Sequence, residues 1–197
     1  MGDGDAAELR RDVVIAGHTG DVGTVERALA HDEPGVREAA FGALARLGLF
    51  TAEVAAQGID DPHARVRCRV AELCAELPDF DLAPLLHDDD PMVVEMAAWS
   101  CGEHESPLPH IVPRLVELCT SHDEALVREA AVAALGAIGD ERGLNAILKA
   151  CDDKPTVRRR AVLALAPFDG DEVKAALTKA LDDRDWQVRQ AAEDLLG

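Results

Sequence analysis

Tyrosine is absent from this sequence, and two tryptophans and four phenylalanines stand against an abundance of alanine, valine and leucine. Sheet proteins draw on aromatics and threonine for their pleated surfaces, so the scarcity weighs against β structure, whereas small aliphatics suit closely packed helices. No apolar run approaches the ~20 residues a bilayer-spanning helix needs, and no signal-peptide pattern opens the chain, so no membrane association and a cytoplasmic location are the expectation. The five cysteines (Cys68, Cys74, Cys101, Cys119, Cys151) are odd in number and lack paired spacing. Beside an ample aliphatic core they read as reduced, mostly buried small residues and not as a disulfide framework. Also missing are a glycine-rich phosphate loop, a nucleophile elbow and a carboxylate pair in a cleft context. A protein without catalysis or cofactor is therefore expected.

Basic residues are scarce in a localised way. No lysine occurs before Lys149, and the formal charge is −18. Residues 149–197 carry nine bases against ten acids, or −1, while residues 1–148 carry eleven against twenty-eight, or −17. Residues 70–127 hold thirteen acids and one base, Arg114, or −12. Such asymmetry speaks of association partners. The run Asp88-Asp89-Asp90 precedes a helical pattern and reads as a solvated first turn set against the helix dipole.

What is present is a period. In Asp123–Asp140, apolar residues fall at Val127, Ala130, Ala131, Ala134, Leu135 and Ile138, one stripe of a 3.6-residue helix. Asp123 is the expected N-cap and Gly139 the expected left-handed C-terminal residue. The same pattern returns at Val36, Val66, Val93, Val157 and Val188, each Val followed by Arg except at Val93, where Val94 breaks the column. Acids precede each reference valine (Asp32, Asp61, Asp89 and Asp90, Asp123, Asp153, Asp183), and Pro34, Pro62, Pro91 and Pro155 mark helix starts. Shorter amphipathic runs lie between: Val22–Ala30, Thr51–Gly58, Leu82–His87, Pro107–Cys119, Glu141–Ala150 and Asp171–Leu181. The pattern predicts an all-α fold of about six two-helix repeats: 18–48, 49–78, 79–105, 106–139, 140–168 and 169–197. A capping helix over 6–17 completes one domain spanning 1–197. At the other end, Leu195-Leu196-Gly197 carries no polar cap, so that end is either abrupt or covered by something else.

DERGLNAILKA after ALGAIG, then DDKPTVRRRAVLALA, resembles HEAT repeats, particularly the short bacterial kind that also occurs in phycobilin lyases. The resemblance implies a right-handed α-solenoid, an armadillo-like superhelix whose second helices line a concave face and whose repeats contact only their neighbours. It implies a ladder of Arg and Asp residues between repeats, which explains the Arg column better than phosphate binding does, given −17 over most of the chain. No nucleic-acid partner is expected. HEAT-like DNA glycosylases need a basic, aromatic-lined cleft, and Arg158-Arg159-Arg160 is too small to supply one. Deoxyhypusine hydroxylase binds di-iron through His-Glu pairs at helix starts. The corresponding places here read Arg37-Glu38, Val94-Glu95 and Arg128-Glu129, and the one His-Glu pair, His104-Glu105, falls at a helix end.

Counting from each reference valine, offsets 0, 3, 4, 7, 8 and 11 are expected inward and offsets 2, 5 and 6 toward the groove. This gives an apolar strip centred on Trp99 with Phe41, Val132 and Leu163, flanked by Glu38, Glu72, Glu95 and Glu129. A scaffold that binds a protein partner follows, with Trp99 and Phe41 as apolar anchors and Glu72, Glu95 and Glu129 steering a basic or amphipathic segment. Two other readings stand beside it: a bilin-lyase-like protein handling a cofactor, and an acidic nucleic-acid mimic built on residues 70–127. Cys101-x-x-His104 and Cys119-x-x-His122, with His110 between them, repeat a spacing that zinc uses. Cys101 falls on a core position and Cys119 on an apolar helix face, so buried cysteines and solvent-facing histidines are expected there, without metal.

Overall fold

The computed structural model describes residues 3–197 and is wholly helical among them. The chain runs α1 (Asp3–Thr19), α2 (Val22–Ala28), α3 (Pro34–Arg46), α4 (Ala52–Gly58), α5 (Ala64–Leu73), α6 (Pro91–Glu103), α7 (Ile111–Ser121), α8 (Ala125–Ile138), α9 (Glu141–Ala150), α10 (Pro155–Ala164), α11 (Asp171–Ala180) and α12 (Trp186–Leu196). Single 3-10 turns occupy Cys74–Glu76 and Leu85–His87. Helix pairs stacked in sequence make this an α-solenoid. Two compact units divide it, Met1–Phe80 and Asp81–Gly197.

Helix starts follow local chemistry. Pro34, Pro91 and Pro155 open α3, α6 and α10, where a missing amide hydrogen costs nothing. Asp90, Asp140 and Asp185 cap α6, α9 and α12 by accepting from Met92, Arg142 and Gln187 amides at 2.9 Å. The cap expected at Asp123 is corrected: α8 begins after Glu124, which makes no side-chain cap bond, and Asp123 serves through its carbonyl instead. Gly139 does close α8 in the left-handed region, at φ 67°.

In the first unit α1 lies against α3, and α3 against α5, with α2 and α4 as the outer helices. Val13, Ala16, Val25, Ala28, Val36, Ala40, Ala43 and Leu44 form the core there. Each large aliphatic side chain so buried contributes roughly 1.5–3 kcal/mol. The second unit repeats the scheme: α6, α8, α10 and α12 pack in succession as an inner row, with α7, α9 and α11 outside. One place departs from the expectation. The helix expected at Leu82–His87 is only a 3-10 turn, yet Leu82, Leu85 and Leu86 are all fully buried beneath α6. Its hydrophobic contribution survives without the helix.

Inner-row helices meet at glycine. A Cβ on Gly102 of α6 would stand 3.0 Å from the Ala134 Cα of α8. A Cβ on Gly136 of α8 would stand 2.6 Å from the Ala164 Cα of α10. The backbones approach that closely because nothing projects between them.

Candidate binding face

At Arg37, Arg128 and Arg158, the arginine after the reference valine bends back to its own turn and reaches forward to the next. Arg128 donates Nε and Nη2 to the two carboxylate oxygens of Asp153, both at 2.7 Å, and Nη1 to the carbonyls of His122 and Asp123. Arg158 grips Asp183 the same way, both bonds at 2.9 Å, and donates to the Asp153 carbonyl. In the first unit Arg37 grips Asp61 at 2.7 and 2.8 Å. Such two-point pairing suits the planar guanidinium. The Arg128 guanidinium holds the Asp153 carboxyl below its usual range, and Arg158 does so for Asp183. At Asp61, burial works to raise the value, but Arg37 and the His63 amide outweigh it and the net direction is down. These arginines are consumed by structure, as the ladder reading required. In α6 the column holds Val94 instead, only 2% exposed. A different guanidinium serves that turn: Arg114 of α7 donates to the Leu86 carbonyl at 2.9 and 3.2 Å.

With the ladder on one edge, the open face of the inner row carries offsets 2, 3 and 6. Offset 5 is not on it. Phe41 and Val132 are therefore corrected from groove anchors to core: Phe41 is 3% exposed with its ring against Gly58, and Val132 is fully buried. Ala71, Ala98 and Val162 at the same offset are buried too. An inner helix such as α3, α8 or α10 is covered by its outer partner and by both neighbours in the row, so its buried arc is wider than one stripe. Offset 3, expected inward, is half-buried or exposed in every inner helix from α3 to α10 and carries Arg69 and Arg160; only Ala191 of α12 is buried there. Two arginines at a position assigned to the core were the signal that the register needed rotating.

Four of the expected residues share the face in the second unit. Trp99 is 43% exposed, one helical turn beyond half-buried Glu95 on α6, and so on the same side. Glu129 of α8 is half-buried nearby, with Arg160 of α10 at 3.9 Å. Burial pushes the Glu95 carboxyl up, and the charge of Glu129 adds to the rise. Among the described residues no cation pairs with Glu95. Leu163 is 43% exposed and borders a shallow hollow of about 240 Å³ between α8 and α10, floored by Gly136 and Ala133 and rimmed by Arg160 and Pro167. In the first unit Glu72 is engaged within its own helix by Arg69 at 2.6 Å, and Glu38 by Arg65, so neither carboxylate stands unpaired.

The cysteines and histidines are occupied separately. Burial lifts the thiols of Cys74 and Cys119 to about 12, and that of Cys151 to about 11. Such thiols hold little nucleophilic thiolate at neutral pH. Cys119 donates to the Ala146 carbonyl, His110 pairs with Asp81 at 2.9 Å, and His122 accepts from the Glu124 amide. His104 is corrected from solvent-facing to buried, at 5% exposure. No group of three potential ligands gathers among the described residues. No described helix is long and apolar enough to cross a membrane.

A family model described as HEAT repeats matches residues 81–156 and 112–197, together more than half of the chain. No protein of curated function matches the sequence. Among solved structures, an engineered protein is 20% identical, with 89% of this chain and 95% of that one aligned at a TM-score of 0.62. YibA of Escherichia coli is 18% identical over 98% of this chain and 73% of its own, at a TM-score of 0.64. Human deoxyhypusine hydroxylase, solved in complex with glycerol, is 20% identical over 98% and 80%, at a TM-score of 0.50. At these identities the likeness concerns the fold.

Proposed function

The chain belongs to the HEAT-repeat family, and we propose that it is a non-catalytic scaffold whose second unit holds a basic, amphipathic protein segment on the open face of α6, α8 and α10. One observation carries this reading: two carboxylates, Glu95 and Glu129, lie close enough to raise the Glu95 proton affinity, beside an exposed Trp99. Holding Glu95, which no described cation pairs, beside the like charge of Glu129 is unfavourable for the free protein. A lysine or arginine from a partner relieves that repulsion, and the Trp99 ring face adds a cation–π contact of ~0.5–2 kcal/mol. The hollow beside Leu163 accepts an apolar side chain from the same segment. Electrostatics accelerates the encounter, and the aromatic and apolar contacts hold it. The proposed organisation is six repeats over 18–197, of which the third, fourth and fifth build this face.

The test uses the full chain in a Trp186→Phe background, so that Trp99 is the sole fluorophore. A lysine/leucine amphipathic peptide is expected to change its emission saturably, while a glutamate/leucine counterpart is not. Trp99→Ala, read by calorimetry, costs more than ~1 kcal/mol of binding while leaving thermal stability within about 0.5 kcal/mol. Equal responses to both peptides, or binding indifferent to Glu95→Gln and Glu129→Gln, would remove the reading.

A further inference from the structure

A chain of charge −18 nevertheless builds one strongly basic hollow, and it lies in the first unit, away from the ladder. Arg10 of α1, Arg46 at the end of α3 and Arg69 of α5 come from three successive inner-row helices and line a cavity of about 150 Å³. Glycine makes the room. A Cβ on Gly42 would stand 3.0 Å from the Arg69 Nη2, and a Cβ on Gly17 would stand 3.2 Å from the Arg46 Nη1. A side chain at Gly42 would press on the Arg69 guanidinium, and one at Gly17, which meets Ala43 first, would also crowd Arg46. The acids nearby fall short of neutralising this cluster. Glu38 is shared between Arg65 and a distant Arg10, at 4.0 Å, and Glu72 is held by Arg69. Arg46 is exposed, and among the described residues no ion pair involves it. Three arginines and a single carboxylate, Glu38, line the hollow, so positive charge is in excess there.

We propose that this hollow is an anion site for a phosphoryl group, the dianion whose charge balances the excess. A hollow of about 150 Å³ is large enough for one phosphate group. Arg46 and Arg10 offer planar, multiply donating groups to the phosphate oxygens, the geometry for which arginine surpasses lysine. Val14 and Ala39 close the sides with apolar surface and reduce competition from water. The ligand is either free inorganic phosphate or a phosphoserine on a partner; the chemistry recognised is the same. The site uses none of the residues of the acidic face, so it stands or falls independently.

Thermal unfolding of the full chain in inorganic phosphate, against chloride at matched ionic strength, reads the site directly through ligand-linked stabilisation. Phosphate is expected to raise the midpoint beyond chloride, with a titration that saturates. Arg46→Ala, which disturbs no internal pair, is expected to weaken the apparent affinity about tenfold, and Arg46→Lys to restore part of it. A phosphoserine peptide with its unphosphorylated twin separates the sources: tighter binding than free phosphate assigns a partner, equal binding a free anion. Equal shifts in phosphate and chloride, or a phosphate response unchanged in Arg46→Ala, overturn the proposal.

Discussion

Arg158→Met tests how much the ladder contributes. The Arg158 side chain is 8% exposed and that of Asp183 is 15%, so both partners of this rung are largely enclosed. Methionine keeps the bulk of the stem but abandons two bonds to the carboxylate and one to the Asp153 carbonyl. Each bond to a charged group is worth about 1.5–3 kcal/mol when lost, but the values do not add, and Asp183 keeps the Asp185 amide at 2.8 Å. Breaking one side of a buried pair costs about 3–5 kcal/mol, and slight exposure puts this rung at the low end, about 3 kcal/mol. For a chain of this size that corresponds to a midpoint lowered by about 6–12 °C. Asp183→Asn retains the turn acceptor while removing the charge, so the double variant Arg158→Met/Asp183→Asn isolates the pair. Denaturant unfolding should return a coupling of about 1–3 kcal/mol. A loss below about 1 kcal/mol for Arg158→Met, or additivity within about 0.5 kcal/mol, refutes the assignment of the rung as a structural clamp.

Gly136→Ala should destabilise by about 1–3 kcal/mol in thermal melts despite alanine's better helix propensity, because its Cβ meets the Ala164 backbone. Glu95→Gln is expected to raise stability at neutral pH by up to about 0.5 kcal/mol while weakening basic-peptide binding. The native Glu95 carboxyl is raised by burial and Glu129, so its ionised form carries a penalty present above that value and relieved as pH falls through it. The ladder aspartates behave in the opposite sense. Asp61, Asp153 and Asp183 are lowered in the folded state, so their contribution is full above the ordinary carboxylate value near ~4 and is lost as pH falls below it. Acid titration followed by circular dichroism should show Arg158→Met with a shallower loss than the parent.

The period, the helix pairs and the ladder were legible because each rests on residues close in sequence or on a repeated column. Val127-Arg128 with Asp153 announces a rung, and Gly139 announces a helix end. The orientation of the inner helices was harder. Offsets 3 and 5 flank the apolar stripe on opposite sides, and which one is covered depends on the neighbouring helices. The stripe alone thus turns Phe41 and Val132 outward, although Arg69 and Arg160 argue for the reverse. Trp99 and Leu163 at offset 6 lie far enough from the stripe to be exposed under either register. The basic hollow was invisible for another reason: Arg10, Arg46 and Arg69 are spread over three helices, and no local pattern joins them.

The spacing of the rungs bears on how such a chain changes length over evolutionary time. Arg128 and Arg158 stand thirty residues apart, as do their acceptors Asp153 and Asp183. A block from Arg128 to Val157 therefore contains one plug and one socket. Its duplication or excision, the usual outcome of unequal recombination, leaves every remaining guanidinium opposite an aspartate. Gly136 and Ala164 obey the same rule, since Ala134 holds in α8 the place that Ala164 holds in α10. A block beginning at Val94 has no plug, and copying it strands an acceptor. The stretch behind Arg128 is free to gain or lose copies, whereas the join before it, held by Arg114 and a buried Val94, is an heirloom that recombination cannot silently replace.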